Sequence, residues 1–441
     1  MGRGRVVIEI NPVFAGLIFL LIVGLILGVF KARPNEVVVW HWMADRQAAL
    51  ESLADKYFNE TGMRVRLVLI SPSDRYADKI RTADAMGRLP DIYGMLGGAW
   101  EFSRFINSGH AVELSQDLDA DGGRWRDEFL NGAISANEFR QGNEQNVQPG
   151  VYGISIDVNN IQMVYNKQLF RQAGLDPEAP PRTWEEFIAC GRKLKEAGIP
   201  AFVSGWGELW MIDCFANIYA WNLMGKDQII KTIKGDISYT GCDWARILKL
   251  FEEMRDAGMF AAGITAMDNK TAEELFANSH AAMAFNGSWC VNVYREINPK
   301  LDYGIFMPPQ LSSEYPMKIW GGVGAPFIVN AGSRHKKEAI GFLKWLTAEK
   351  QQAYLSGATY NLPVNKWAIF YVPPQLKEFA DDMDKVVDPK ALPVVENSKV
   401  SEELDKGIQA IINGQSTPEE VAKSVDKIKH IVDRYRCLGY N

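Results

Sequence analysis

The sequence predicts an α/β protein on three observations: a strand–helix–strand unit near its start, helix-capping boxes that recur along the chain, and short apolar strands between them. Val37-Val38-Val39-Trp40 is the first strand. Asp45 stands in N-cap position before a helix with Leu50, Leu53, Ala54, Tyr57 and Phe58 on one face. Thr61-Gly62 stops that helix, and Val65 to Ile70 makes the second strand. Such a unit of about 35 residues implies a parallel sheet.

The later elements repeat this grammar. Thr183-x-x-Glu186 opens a helix carrying Trp184, Phe187 and Leu194, closed by Gly198-Ile199-Pro200. Thr271-x-x-Glu274 opens another, leading to a strand over 281–285, and Thr417-Pro418-Glu419-Glu420 opens the last. Ala339, Leu343 and Leu346 mark a further helix that ends near Ser356-Gly357. The polar stretch 142–150 and the flexible Gly321-Gly322-Val323-Gly324 are suited to crossings between lobes.

With 441 residues, two to three domains are expected. The net charge of −6 excludes a nucleic-acid partner, because binding phosphates needs a basic footprint. The 13 Trp, 15 Tyr and 21 Phe are mostly core, yet surplus indoles are also what a sugar cleft uses to stack on pyranose rings. Five scattered cysteines (Cys190, Cys214, Cys242, Cys290, Cys437) show no metal or redox spacing, and most read as buried and inert. No metal or cofactor is expected. No GxSxG, HExxH or phosphate-binding glycine loop occurs, the five histidines are dispersed, and Glu185/Glu186 and Glu252/Glu253 fall on helix exteriors. These observations argue against an enzyme.

From Val13 to Phe30 runs an unbroken stretch of 18 apolar or Gly residues, about 27 Å long as a helix and close to the hydrocarbon thickness of a bilayer. A signal-peptidase site needs small residues at −3 and −1, and Phe30 occupies one of those places before Ala32. No cysteine follows to carry a lipid. The run is expected to stay as a single-pass signal anchor, with residues 1–33 comprising a cytoplasmic stub and the membrane helix.

Several segments, in order, resemble the extracellular solute-binding proteins of ABC importers, in the carbohydrate branch that includes maltodextrin-binding proteins. They begin with Val38-Val39-Trp40-His41-Trp42 and the helix end Phe58-Asn59-Glu60-Thr61-Gly62. Leu89-Pro90-Asp91-Ile92 and Asn107-Ser108-Gly109-His110 follow. Then come Tyr152-Gly153-Ile154, Val164-Tyr165-Asn166-Lys167, Pro181-Arg182-Thr183-Trp184 and Ala281 through Trp289. The resemblance implies a two-lobed periplasmic-binding-protein fold with a hinge cleft. The N-terminal lobe would combine 34–153 with 323–366, and the C-terminal lobe 154–322 with 367–441. Crossings are expected near 154–157, near 320–322 and after Pro363. It also implies a carbohydrate ligand, ABC permease subunits as partners, and a soluble domain on the periplasmic or extracellular side of the cytoplasmic membrane, closing about its hinge on the sugar.

The candidate ligand contacts follow from position and chemistry. Trp40, His41 and Trp42 leave the first strand at its C-terminal end, where open α/β sheets place ligands. Gly97, Trp100 and Glu101 follow the strand after Pro90. Asp157 and Asn159 sit at the first proposed crossing, with turn capping as their competing role. Trp206, Glu208 and Trp210 set two indoles beside a carboxylate. Gly287, Ser288 and Trp289 match a family segment that lines the cleft, and Trp320, Gly321 and Gly322 match the second crossing. Tyr165 reads as core and Trp184 as a helix-start anchor. The chain departs from the family in keeping its membrane helix and in having Gly97-Gly98 where maltodextrin binders carry larger groups. A sugar-sensing receptor module and a glycoside-processing enzyme are the alternative functions; the first usually shows a second membrane segment or signalling domain, and neither is present in the sequence.

Overall fold

The computed structural model describes residues 35–437 apart from 72, 131, 388–391, 393 and 395. The apolar run from Val13 to Phe30 lies outside the described residues, and among those described no helix is long and apolar enough to cross a membrane.

β1 (Glu36–His41) and β2 (Arg64–Leu69) pair in parallel on either side of the helix Gln47–Thr61, Glu36 opposite Arg64 and His41 opposite Leu69. Gly62 ends that helix in the left-handed conformation, its N–H bonded to the Phe58 carbonyl. The start differs from expectation. Ala44–Arg46 form a 3-10 turn and the helix begins at Gln47, because the Asp45 carboxylate turns to Arg46 at 3.5 Å instead of capping.

β3 (Ile92–Gly94) adds to the other side of β1. β4 (Glu138–Phe139) and β5 (Gly150–Val151) form an antiparallel pair, so the polar stretch 142–150 closes a hairpin and crosses nothing. β6 (Ile154–Ser155) edges the first sheet, whose order is β2-β1-β3-β12-β6 with β12 at Pro326–Val329. One residue later β7 (Asp157–Asn166) runs through the middle of a second sheet. That sheet is joined by β8 (Phe202–Val203), β9 (Met283–Gly287), β10 (Tyr303–Phe306) and β11 (Ile319–Val323). β12 (Pro326–Val329) returns to the first sheet, β13 (Leu362–Pro363) pairs with β7, and β14 (Val386–Val387) pairs with β11. The sheets are mixed, not purely parallel, because each segment that crosses back enters the neighbouring sheet running the other way.

Helices cover both sheets. Val37, Val39, Leu50, Leu53, Phe342 and Leu343 pack in one core, and Phe187, Phe202, Phe215, Phe251 and Phe285 in the other. The capping box of the helix Trp184–Glu196 is closed by Thr183 and Glu186, and that of Pro418–Cys437 by Thr417 and Glu420. The third differs: the helix is Asn269–Ala277 and its cap is Asp268, accepting from the Thr271 N–H at 2.7 Å. The expected helix through Ser356 is two, Lys336–Leu346 and Glu349–Thr359. It breaks at Thr347, whose hydroxyl bonds the Leu343 carbonyl and the Trp125 indole, both at 2.9 Å. Cys190, Cys214 and Cys290 are buried free thiols and Cys242 is an exposed one.

Candidate functional site

The loops that follow the C-terminal ends of β1 and β3 reach a cleft shared with residues of the second sheet. They deliver Trp42 to Arg46 and Met95 to Gly97 to one wall of a cleft of about 650 Å³. Its floor is the crossing region, with Asp157 and Asn159 from β7 and Trp320 and Gly321 from β11. Trp210, Asn269, Lys270, Glu273 and Trp289 form the far wall. A neighbouring cavity of about 540 Å³ shares Met95 and Gly97 and runs toward Arg140 and Gln145.

Four indoles line the cleft. Trp42 is wedged between Tyr76, 5.2 Å away between ring centres, and Phe327, stacked at 6.2 Å. Trp210 and Trp289 sit 6.0 Å apart, tilted by 53°. Each of these two is aimed by a carboxylate: Trp210 Nε1 donates to Glu208 at 2.7 Å and Trp289 Nε1 to Glu273 at 3.1 Å. Gly287 is what lets the Trp289 ring fold back, since a Cβ there would collide with the indole. Gly321 likewise brings β11 hard against the Asn159 carbonyl, where a side chain would clash.

Two buried groups set the electrostatics. Arg46 donates to Asp157 at 2.8 Å and to Asn361 Oδ1 at 2.8 Å, with Asp45 at 3.5 Å. Burial alone would lower its pKa; the Asp157 and Asp45 carboxylates outweigh burial and raise it. Glu273, from the helix Asn269–Ala277, accepts from Asn269 at 2.9 Å and Asn286 at 3.4 Å as well as from Trp289. Burial pushes its pKa up to about 7, against the opposing pull of Lys270 and those hydrogen bonds.

The structure thus brings Trp42, Gly97, Asp157, Asn159, Trp210, Trp289, Trp320 and Gly321 to one cleft. Others take supporting places. Glu208 orients Trp210 and caps the Asn269 N–H at 2.9 Å; Gly287 underlies Trp289; Gly322 pairs with Asn159 in the sheet; the Ser288 N–H bonds the Asn160 carbonyl at 2.9 Å. The remaining candidates stand elsewhere. Trp206 is fully buried among Phe202, Phe215, Phe251 and Phe260. His41 is fully buried, because alternation along β1 turns it into the lobe. Trp40 is half-buried outside the cleft lining, with Lys79 over its ring at 5.7 Å. Trp100 is exposed on the helix Ala99–Asn107, and Glu101 pairs with Arg81 at 3.2 Å. Arg46, Asn269, Lys270 and Glu273 were not foreseen. Asn269 and Glu273 lie four apart on one helix face, a spacing that marks neighbours but not what they face.

The doubled carboxylates have structural partners: Glu253 accepts from Trp184 Nε1 at 2.6 Å and Arg246 at 3.1 Å, and Glu252 meets Arg255 at 3.4 Å. Residues 41–353, the span that contains every residue lining the cleft, match the family model described as bacterial extracellular solute-binding protein. The chain belongs to that family. It is therefore a binding protein and not an enzyme, and its domain is periplasmic or extracellular.

A putative binding protein of Brucella abortus (strain 2308) is 24 % identical to this family member over 360 residues, 80 % of this chain and 82 % of the relative. The multiple sugar-binding protein of Streptococcus mutans is 21 % identical over 338 residues, 74 % of each chain. Among solved structures, a chitin oligosaccharide binding protein superposes with a TM-score of 0.75 at 24 % identity, covering 90 % of this chain and 99 % of the other. This likeness shows that the two-lobed fold is shared.

Proposed function

We propose that the protein captures a sugar or oligosaccharide in this cleft and hands it to the permease subunits of an ABC importer. The observation that carries the reading is the lining itself. Trp42, Trp210, Trp289 and Trp320 put indole surface into the cleft, while Asp45, Asp157, Asn159, Asn269 and Glu273 offer planar polar groups for hydroxyls. A phosphorylated or anionic ligand is disfavoured, because Arg46 is taken up by Asp157 and Lys270 stands 3.8 Å from Glu273. The names of the Streptococcus mutans relative and of the chitin oligosaccharide neighbour support the same substrate class.

The lobes in this reading are 34–153 with 323–366 and 154–322 with 367–441, closing about the crossings on the bound sugar so that the permease reads the closed form. The run from Val13 to Phe30 holds the chain in the cytoplasmic membrane as a single-pass anchor, with the binding domain outside. Thermal shift of the full chain in detergent across a panel of sugars, with product analysis, tests the reading. Stabilisation without cleavage is expected. Stabilisation by peptides or polyamines alone would remove the sugar assignment.

A further inference from the structure

β1, β2 and β3 send their C-terminal ends to the cleft, so their N-terminal ends and the end of β12 make up the opposite face of the first sheet. Hydrogen bonds tie its pieces together. Arg64 N–H donates to Asn35 at 3.3 Å, Asn330 N–H to Asp91 at 2.9 Å, and Asn330 Nδ2 to Leu89 at 3.1 Å. On this face Arg64, Arg88, Arg334, Lys336 and Lys337 are exposed, with Met86 beside them 64 % exposed. Three neighbouring carboxylates are engaged, Glu36 with Arg66 at 2.9 Å, Asp91 with the Val38 N–H at 2.8 Å, and Asp84 with His110, and Glu338 follows the two lysines in the same helical turn. A basic face on a chain of net charge −6 is a local reversal of sign.

The position of this face along the chain matters. The apolar run ends at Phe30 and β1 begins at Glu36, so the intervening residues 31–35, two of them basic, reach no more than about 18 Å. We propose that this end of the first sheet docks on anionic lipid headgroups, seating the lobe upright with the cleft about 20 Å above the bilayer, one strand length. The inference rests on the membrane-anchor reading. Each added basic residue near an anionic leaflet strengthens partitioning by roughly fivefold, and the attraction fades within a Debye length.

The test uses the full chain reconstituted into neutral phosphatidylcholine vesicles or vesicles with about 30 % phosphatidylglycerol, read by flotation and amide exchange. Exchange over 86–88 and 334–337 is expected to slow at least fivefold in the anionic vesicles only, and to recover at about 1 M salt. R334E/K336E/K337E, and independently R64E/R88E, should abolish the slowing while leaving the thermal midpoint in place. Equal exchange in both lipids, with the chain floating in both, overturns the docking and leaves the anchor standing. Flotation with anionic vesicles alone, reversed by salt, upholds the docking face and sinks the anchor. Flotation with neither overturns both.

Discussion

Arg46 and Asp157 meet at 2.8 Å where the turn after β1 in the first sheet touches the first residue of β7 in the second. Asn361, just before β13, takes the other guanidinium nitrogen at 2.8 Å. One side chain thus joins three segments at the floor of the cleft, in a site that is nearly dry. Removing one partner of a buried pair leaves the other charged and unpaired. Arg46→Met is expected to lower unfolding free energy by about 3–5 kcal/mol, and Asp157→Leu by a similar amount. The double variant should lose clearly less than the sum, as a double-mutant cycle in denaturant would show.

Trp206 and Trp210 are four residues apart and have opposite fates. Trp206 is enclosed by phenylalanines, so Trp206→Ala is expected to cost about 3–5 kcal/mol of stability in urea unfolding. Trp210 is 43 % exposed beside Trp289, so Trp210→Ala should leave stability within about 0.5 kcal/mol. As proposed ligand contacts, Trp210→Ala and Trp289→Ala should each weaken sugar binding by roughly tenfold or more in calorimetry. Unchanged affinity in both would take these rings out of the site.

Glu273 gives stability a slope near neutrality. Its folded pKa of about 7 lies above the ordinary 4.5, so the folded state holds the proton more tightly. That contribution is fully present below pH 4.5 and is lost as pH rises through 7, by about 3 kcal/mol in total. Glu273→Gln keeps an acceptor for Trp289 and removes the titration. Denaturation midpoints of this variant should fall less between pH 5 and pH 8 than those of the parent.

His41 acts with the opposite sign. Burial lowers its pKa from 6.5 to about 4, so the unfolded chain takes up a proton that the folded one refuses. Its contribution is present above pH 6.5 and is lost as pH falls through 4. His41→Leu should flatten the acid limb of the stability profile, leaving the neutral side to Glu273. A profile unchanged by the substitution would mean that the imidazole titrates alike in the folded and the unfolded chain.

The local grammar of the chain was legible from its residues. The caps at Thr183 and Thr417 and the stop at Gly62 depend on groups within a few positions of one another, and the βαβ unit on the periodicity of one short segment. Where a nearby competitor existed, local signals misled: Asp268 displaced Thr271 as a cap, and Arg46 drew Asp45 away from one. The order of short motifs carried the family.

What tertiary structure alone decided is which indoles meet in the cleft. Trp210 and Trp289 come from segments nearly eighty residues apart, and Trp289 is aimed by Glu273 from a separate helix. Arg46 became the link at the floor of the cleft only because Asp157 and Asn361 arrive from distant segments. Periodicity and capping are short-range effects written residue by residue, whereas burial and facing depend on how whole sheets pack. The sequence determined two lobes rich in tryptophan; the packing chose which tryptophans became core and which became wall.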